Sequence, residues 1–166
     1  MTILFWCLCL VLALIDRGTK AAAERLIEPG SVNEVIKIGD RRILWFTLHH
    51  NTGAAFSSFT GKTAMLSVVT VILLLIVAVY FHKNKKRLPE TIAMAMIFGG
   101  GLGNLFDRIV YGQVTDFINL FPFDFIFNFA DICVVLGVIF LIIVYLFLDK
   151  DDKPKDTPGD GDTEHE

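Results

Sequence analysis

The chain has 166 residues, 54% of them hydrophobic, with a mean hydropathy of +0.58. That composition excludes an ordinary soluble domain of this size. The net charge of −3 misleads: residues 149–166 carry eight acids against three lysines, and the rest of the chain carries 12 basic and 10 acidic side chains. No basic stripe supports nucleic-acid binding.

Four apolar stretches of membrane length, or nearly so, run through the chain. The first covers residues 2–26 and holds Asp16, Arg17, Lys20 and Glu24 in its second half. Ala21-Ala22-Ala23 resembles a signal-peptide cleavage site, but no cation precedes the apolar run and charges interrupt it. The stretch therefore reads as a retained helix. Asp16 and Lys20 stand four apart, on one helix face where they can pair.

Val35 to Ile38, the turn at Gly39-Asp40, and Ile43 to Leu48 read as a β-hairpin, with Trp45 and Phe46 suited to the headgroup layer. Asn51-Thr52-Gly53-Ala54-Ala55-Phe56 comes next as a turn of small residues. The Asn51 amide there is able to hold a peptide carbonyl.

The second stretch covers residues 63–81 and ends in the dense basic loop Lys83, Lys85, Lys86, Arg87. Such a cluster marks the cytoplasmic side, which puts both termini inside. The third stretch, 91–106, contains Gly99 and Gly103 at the spacing that allows close helix packing. Asn104, Asp107 and Arg108 share one face at its outer end, with Asn104 pointing into the bundle. Arg108 is placed either to snorkel to headgroups or to grip a substrate carbonyl or phosphate.

Asp116 lies in the second outer loop, and Asn128 and Asp131 open the fourth stretch, 132–148. Asp131 suits the positive end of a helix dipole with Asn128 as its cap. The segment 117–129, rich in Phe around Pro122 and Asp124, reads as an interfacial loop.

All these polar residues converge on the outer membrane face from five separate segments. Intramembrane charge is costly and so marks function. Two adjacent carboxylates hold a single proton between them, and such a pair can deprotonate water with one member and protonate a leaving amine with the other. Metal and nucleophile chemistry have no support: His49-His50 are adjacent, not spaced along one helix face, and no Gly-x-Ser-x-Gly occurs. Cys7, Cys9 and Cys133 read as small apolar side chains. The runner-up readings are a proton-coupled transporter, disfavoured because the inner halves of stretches two to four lack acids, and a packing scaffold.

Asp16-Arg17-Gly18-Thr19-Lys20, Asn51 to Phe56, Gly99 to Arg108, Val114 to Phe117 and Phe127 to Asp131 appear in that order. Together they closely resemble the bacterial lipoprotein signal peptidase family (signal peptidase II), which are four-helix membrane aspartic peptidases. The resemblance implies that Asp116 and Asp131 form the catalytic dyad. It also implies that the substrate is a diacylglyceryl-modified prolipoprotein, cleaved just before its lipidated cysteine.

Asn51, Asn104, Arg108, Asn128 and Ala130 match positions lining the substrate groove, and Asp16, Lys20, Gly53 and Asp107 match positions supporting or bordering it. Arg17 departs from the Gln common there. The expected architecture is an all-α membrane protein of four transmembrane helices, with a small extracytoplasmic β-hairpin and an interfacial loop segment. Residues 1–148 form the peptidase domain and 149–166 a disordered acidic cytoplasmic tail. The expected enzyme is a monomer in the bacterial inner membrane, needing no cofactor or metal, with its site on the extracytoplasmic face.

Overall fold

A computed structural model describes residues 1–53, 62–84 and 87–148. The acidic tail, the Ala54 to Phe56 part of the small-residue turn, and Lys85-Lys86 lie outside the described residues. Among the described residues eight elements succeed one another: α1 (Thr2–Leu26), β1 (Asn33–Ile38), β2 (Arg41–Asn51), α2 (Lys62–Lys83), α3 (Leu88–Tyr111), β3 (Val114–Leu120), β4 (Ile126–Phe127) and α4 (Phe129–Leu148). The apolar stretches are helical, as their composition dictates. Three of them, Thr2–Leu26, Thr63–Lys83 and Phe129–Phe147, are long and apolar enough to cross a membrane. Their outward faces expose large apolar side chains such as Ile3, Leu10, Leu73, Ile76, Val135 and Ile142, a surface that only lipid or a partner can cover.

The helix α3 is the hub and packs against each of the other three. It is longer than expected at both ends. Leu88-Pro89 starts it, and the Glu90 carboxylate accepts the Arg87 backbone N–H at 3.1 Å, a cap that brings this acid into the helix and against the bundle. One acid therefore does lie in the first turn of α3, in a capping role. At the other end Gly112 closes the helix in the left-handed region (φ 70°), its N–H reaching the Arg108 carbonyl.

Glycines set the spacing around this hub, and each faces a different neighbour. A Cβ on Gly99 would meet the Cys9 carbonyl and Leu12 Cβ of α1 at 3.0 Å. One on Gly100 would sit 2.5 Å from the Ala130 carbonyl of α4, and one on Gly103 2.5 Å from the Asp16 carboxylate. Gly137 returns the contact from α4, where a Cβ would lie 2.9 Å from the Ala93 carbonyl. Close backbone approach of this kind replaces the hydrophobic drive that helices lack in lipid. At the other end of the bundle Phe5, Cys9, Phe81, Met94 and Ala95 form an apolar core, with Phe5 and Phe81 stacked at 4.1 Å.

The expected hairpin is half of a larger unit. The strands form one antiparallel four-stranded sheet in the order β1-β2-β3-β4, with Leu44 opposite Leu120, Phe46 opposite Ile118, His49 opposite Asp116 and Asn51 opposite Val114. The segment expected as an interfacial loop thus begins as a strand. Val114 to Phe117 are all buried, so no polar alternation marks them. The sheet is seated on the end of α1, where Phe117 packs with Ala23 and Ile27 and with Phe46, Leu48 and Ile118. Phe121, Phe123 and Phe125 remain exposed between β3 and β4.

Candidate active site

The start of α4 is fixed by two reciprocal hydrogen bonds. The Asn128 side-chain oxygen accepts the Asp131 N–H at 3.0 Å, and the Asp131 carboxylate accepts the Asn128 N–H at 3.2 Å. This is a capping box, and it aims both side chains back over the helix end. The Asn128 amide then donates in two directions, to Asp116 Oδ1 at 2.6 Å and to Asn104 Oδ1 at 3.1 Å. Asn104 in turn donates to Asp131 Oδ1 at 2.7 Å. Two asparagine amides therefore link the carboxylates of β3 and α4.

The second oxygen of Asp116 accepts the Asn51 amide at 2.9 Å. Asn51 is itself held, because its side-chain carbonyl accepts the Gly53 N–H at 2.9 Å in a turn that needs the positive φ of Gly53 (81°). Asp116 is almost fully buried. Burial raises its pKa above the usual carboxylate value, and the Asp131 charge acts in the same direction; the Asn51 and Asn128 hydrogen bonds oppose the rise without reversing it.

Behind the asparagines lies a buried charge cluster. The Lys20 ammonium, 0% exposed, contacts Asp16 Oδ2 at 2.7 Å, Asp107 Oδ2 at 2.8 Å and Asn104 Oδ1 at 2.9 Å. Three donors meet three acceptors, and neither carboxylate oxygen has another partner among the described residues. Contact with an ammonium forces Asn104 to turn its oxygen toward α1 and its NH2 toward Asp131. Asp16 Oδ1 accepts the Ala130 N–H at 3.0 Å, tying α1 to the start of α4. Arg17 takes the other Asp107 oxygen at 2.7 Å and lies over the Tyr111 ring.

Two cavities reach the carboxylates. One, of about 260 Å³, lies among α2, α3 and α4; Leu73, Leu74, Ile97 and Val135 line it, with Asn104, Arg108 and Asp131 at its polar end. The other, of about 360 Å³, opens beside the sheet and is lined by His49, His50, Asn51, Asp116, Asp124 and Phe125.

A sequence profile of Signal peptidase (SPase) II matches residues 8–147. The chain belongs to the signal peptidase II family. The lipoprotein signal peptidase of Staphylococcus haemolyticus is 36% identical over 141 residues, covering 82% of this chain and 87% of that protein. That of Halalkalibacterium halodurans is 36% identical over 148 residues, covering 85% and 92%. Two solved structures described as bacterial membrane enzymes superpose with TM-scores of 0.78 and 0.76, at 32% and 34% identity, over 93% and 92% of this chain and 94% of each of theirs.

In this chain, Asp16, Lys20, Asn51, Asn104, Asp107, Asp116, Asn128 and Asp131 fall into one connected network, with Gly53 fixing Asn51. Arg108 touches the network through a long hydrogen bond, its Nη1 donating to the Asn104 backbone carbonyl at 3.4 Å, and its side chain lies at the head of the helix cavity. Ala130, expected at the groove, sits at the start of α4. It is fully buried, its N–H engaged by Asp16 and its carbonyl against Gly100, and it lines neither of these two cavities. Part of the Asn51 amide, expected to be free for a peptide, is held by Asp116.

The sequence reading missed Glu24, which accepts the Thr115 hydroxyl at 2.7 Å and fastens β3 to α1 next to Asp116. It also set Asp124 aside as interfacial, whereas Asp124 shares a cavity with Asp116. Both placements come from tertiary packing between distant segments, Thr115 lying 91 residues from Glu24, and a lone sequence does not give such packing.

Proposed function

We propose that this chain is an aspartic endopeptidase that removes signal peptides from diacylglyceryl-modified prolipoproteins, cutting just before the lipidated cysteine. The observation that carries this reading is the pair of acids, Asp116 and Asp131, linked through the amides of Asn128 and Asn104 at one end of the helical bundle.

Asp116, whose proton is favoured by burial, serves as the acid. Asp131, half-buried at the head of the helix cavity, serves as the base. Asp131 takes a proton from water, and the hydroxide attacks the scissile carbonyl. Arg108 is placed to steady the charge that develops on the oxygen. Asp116 then protonates the departing cysteine nitrogen as the carbon–nitrogen bond breaks, leaving a carboxylic acid that ionises to solvent on the signal peptide, a free amine on the lipidated cysteine, and the shared proton on Asp131. The two asparagine amides preorganise this geometry.

The same reading takes α3 as the fourth span, because its polar residues face the bundle and its glycines face other helices. The basic loop after α2 sets both termini on the cytoplasmic side and the dyad at the extracytoplasmic face. Residues 1–148 are the peptidase domain, and the enzyme acts as a monomer. The test is a gel-shift assay with purified protein and one diacylglyceryl-modified precursor. Asp116→Asn and Asp131→Asn each abolish the shift while the protein keeps its helical content. Full cleavage by either variant overturns the dyad.

A further inference from the structure

The two cavities differ in chemistry, and the acids lie between them: Asp131 belongs to the apolar one among the helices, Asp116 to the polar one beside the sheet. A chain lying across both acids crosses from the first cavity to the second. A hydrophobic signal helix fits only the first. The substrate chain beyond the cleaved bond is polar and continues toward water, so the second cavity must receive it. His49 stands directly across the ladder from Asp116, so the two side chains leave the sheet on the same face. Across the cavity Asp124 brings the charge, exposed and beside Phe125.

We propose that the cavity lined by His49, His50, Asn51, Asp116 and Asp124 is a subsite for the first residues after the lipidated cysteine, and that Asp124 makes it favour a cationic side chain there. This rests on the peptidase reading and adds a specificity to it. His49 and His50 offer both hydrogen-bond donors and acceptors to a polar peptide, whatever its side chains. Asp124 is the exposed carboxylate that discriminates between them. Like and unlike charges at an exposed site differ by modest factors, about twofold to fivefold for each charge.

The experiment uses the full chain in uncharged detergent and three diacylglyceryl precursor peptides that differ only in the residue after the cysteine: Lys, Gln or Glu. Competition gives the ratios of kcat/KM. The expected order is Lys, then Gln, then Glu, with the Lys peptide ahead of the Glu peptide by about fourfold to twenty-fivefold in kcat/KM. Asp124→Asn brings that ratio close to one and Asp124→Lys inverts it. Moving the variable residue eight positions downstream abolishes the preference.

A Lys-to-Glu ratio that is the same in wild type, Asp124→Asn and Asp124→Lys overturns the subsite. So does a preference that persists eight positions away, since that is general attraction to an acidic surface. The Gln peptide separates the two claims. Its cleavage by wild type and not by Asp131→Asn upholds the peptidase reading even when the subsite fails. No cleavage of any peptide by wild type defeats both.

Discussion

Replacing Lys20 by Met removes the one cation among the described residues that Asp16 Oδ2 and Asp107 Oδ2 touch, in a place where lysine and both carboxylates are at most 1% exposed. Methionine keeps the apolar stem and the volume, so the cost is electrostatic. Taking one partner from a buried ion pair typically destabilises by about 3–5 kcal/mol, because the remaining charge is stranded. Two compensations hold the figure near the lower end: Asp107 retains Arg17, and Asp16 retains the Ala130 N–H. For a chain of this length, about 3 kcal/mol corresponds to a fall in Tm of roughly 6–12 °C.

Activity falls too, because Asn104 loses the contact that orients its amide toward Asp131. Thermal unfolding in detergent, followed by fluorescence of Trp6 and Trp45, measures the first effect, and precursor cleavage well below Tm measures the second. Adding Asp16→Asn to Lys20→Met should recover part of the lost stability, since it removes one of the stranded charges. A Lys20→Met protein within about 2 °C of wild type, with full activity, refutes the argument that this ammonium holds the cluster together.

Gly100→Ala places a methyl 2.5 Å from the Ala130 carbonyl, so α3 and α4 must part; stability should fall by about 1–3 kcal/mol and cleavage should slow as Asp131 shifts. Gly18→Ala, with nothing within 4 Å of the new Cβ inside α1, should instead raise stability by about 0.5–1 kcal/mol, and chemical or thermal unfolding of the two variants side by side checks the contrast. Asp116→Asn should change the pH dependence of stability. The wild-type carboxyl has a folded pKa raised above 3.8, so its contribution is fully present below that value and is lost as pH rises through the folded pKa; the Asn variant, which does not ionise, should gain on wild type in Tm over that rise. Arg17→Gln removes one contact to Asp107 and the stacking on Tyr111 but leaves Lys20 in place, so it should cost only about 1 kcal/mol in unfolding experiments and leave cleavage nearly intact.

The helices were legible because apolar length is a strong local signal: α1 runs over the expected residues. Helix ends were less so. The stretch expected to start at Thr91 begins at Leu88, because Glu90 closes a cap that hydropathy does not register, and it runs on to Tyr111 through Asp107 and Arg108. Asp16 and Lys20 were legible as a pair from spacing alone, but their joint hold on Asp107 and Ala130 comes from tertiary packing.

The sheet shows the limit most clearly. The β1–β2 hairpin announces itself through the Gly39-Asp40 turn, whereas β3 pairs with a strand about 70 residues away and is buried on both faces. Its register puts His49 across from Asp116, its packing on α1 puts Thr115 within reach of Glu24, and nothing local in those residues foretells either contact.

Asn128 ties the start of the last helix to an acid that precedes it in the chain. A ribosome delivers residue 116 first, and domains assemble in the order of synthesis. Until residues 128–131 emerge and dock, Asp116 lacks its counterpart and one of its two amide donors. On the proposed dyad reading, a half-inserted molecule cannot yet cleave, and activity arrives only once the start of α4 has docked.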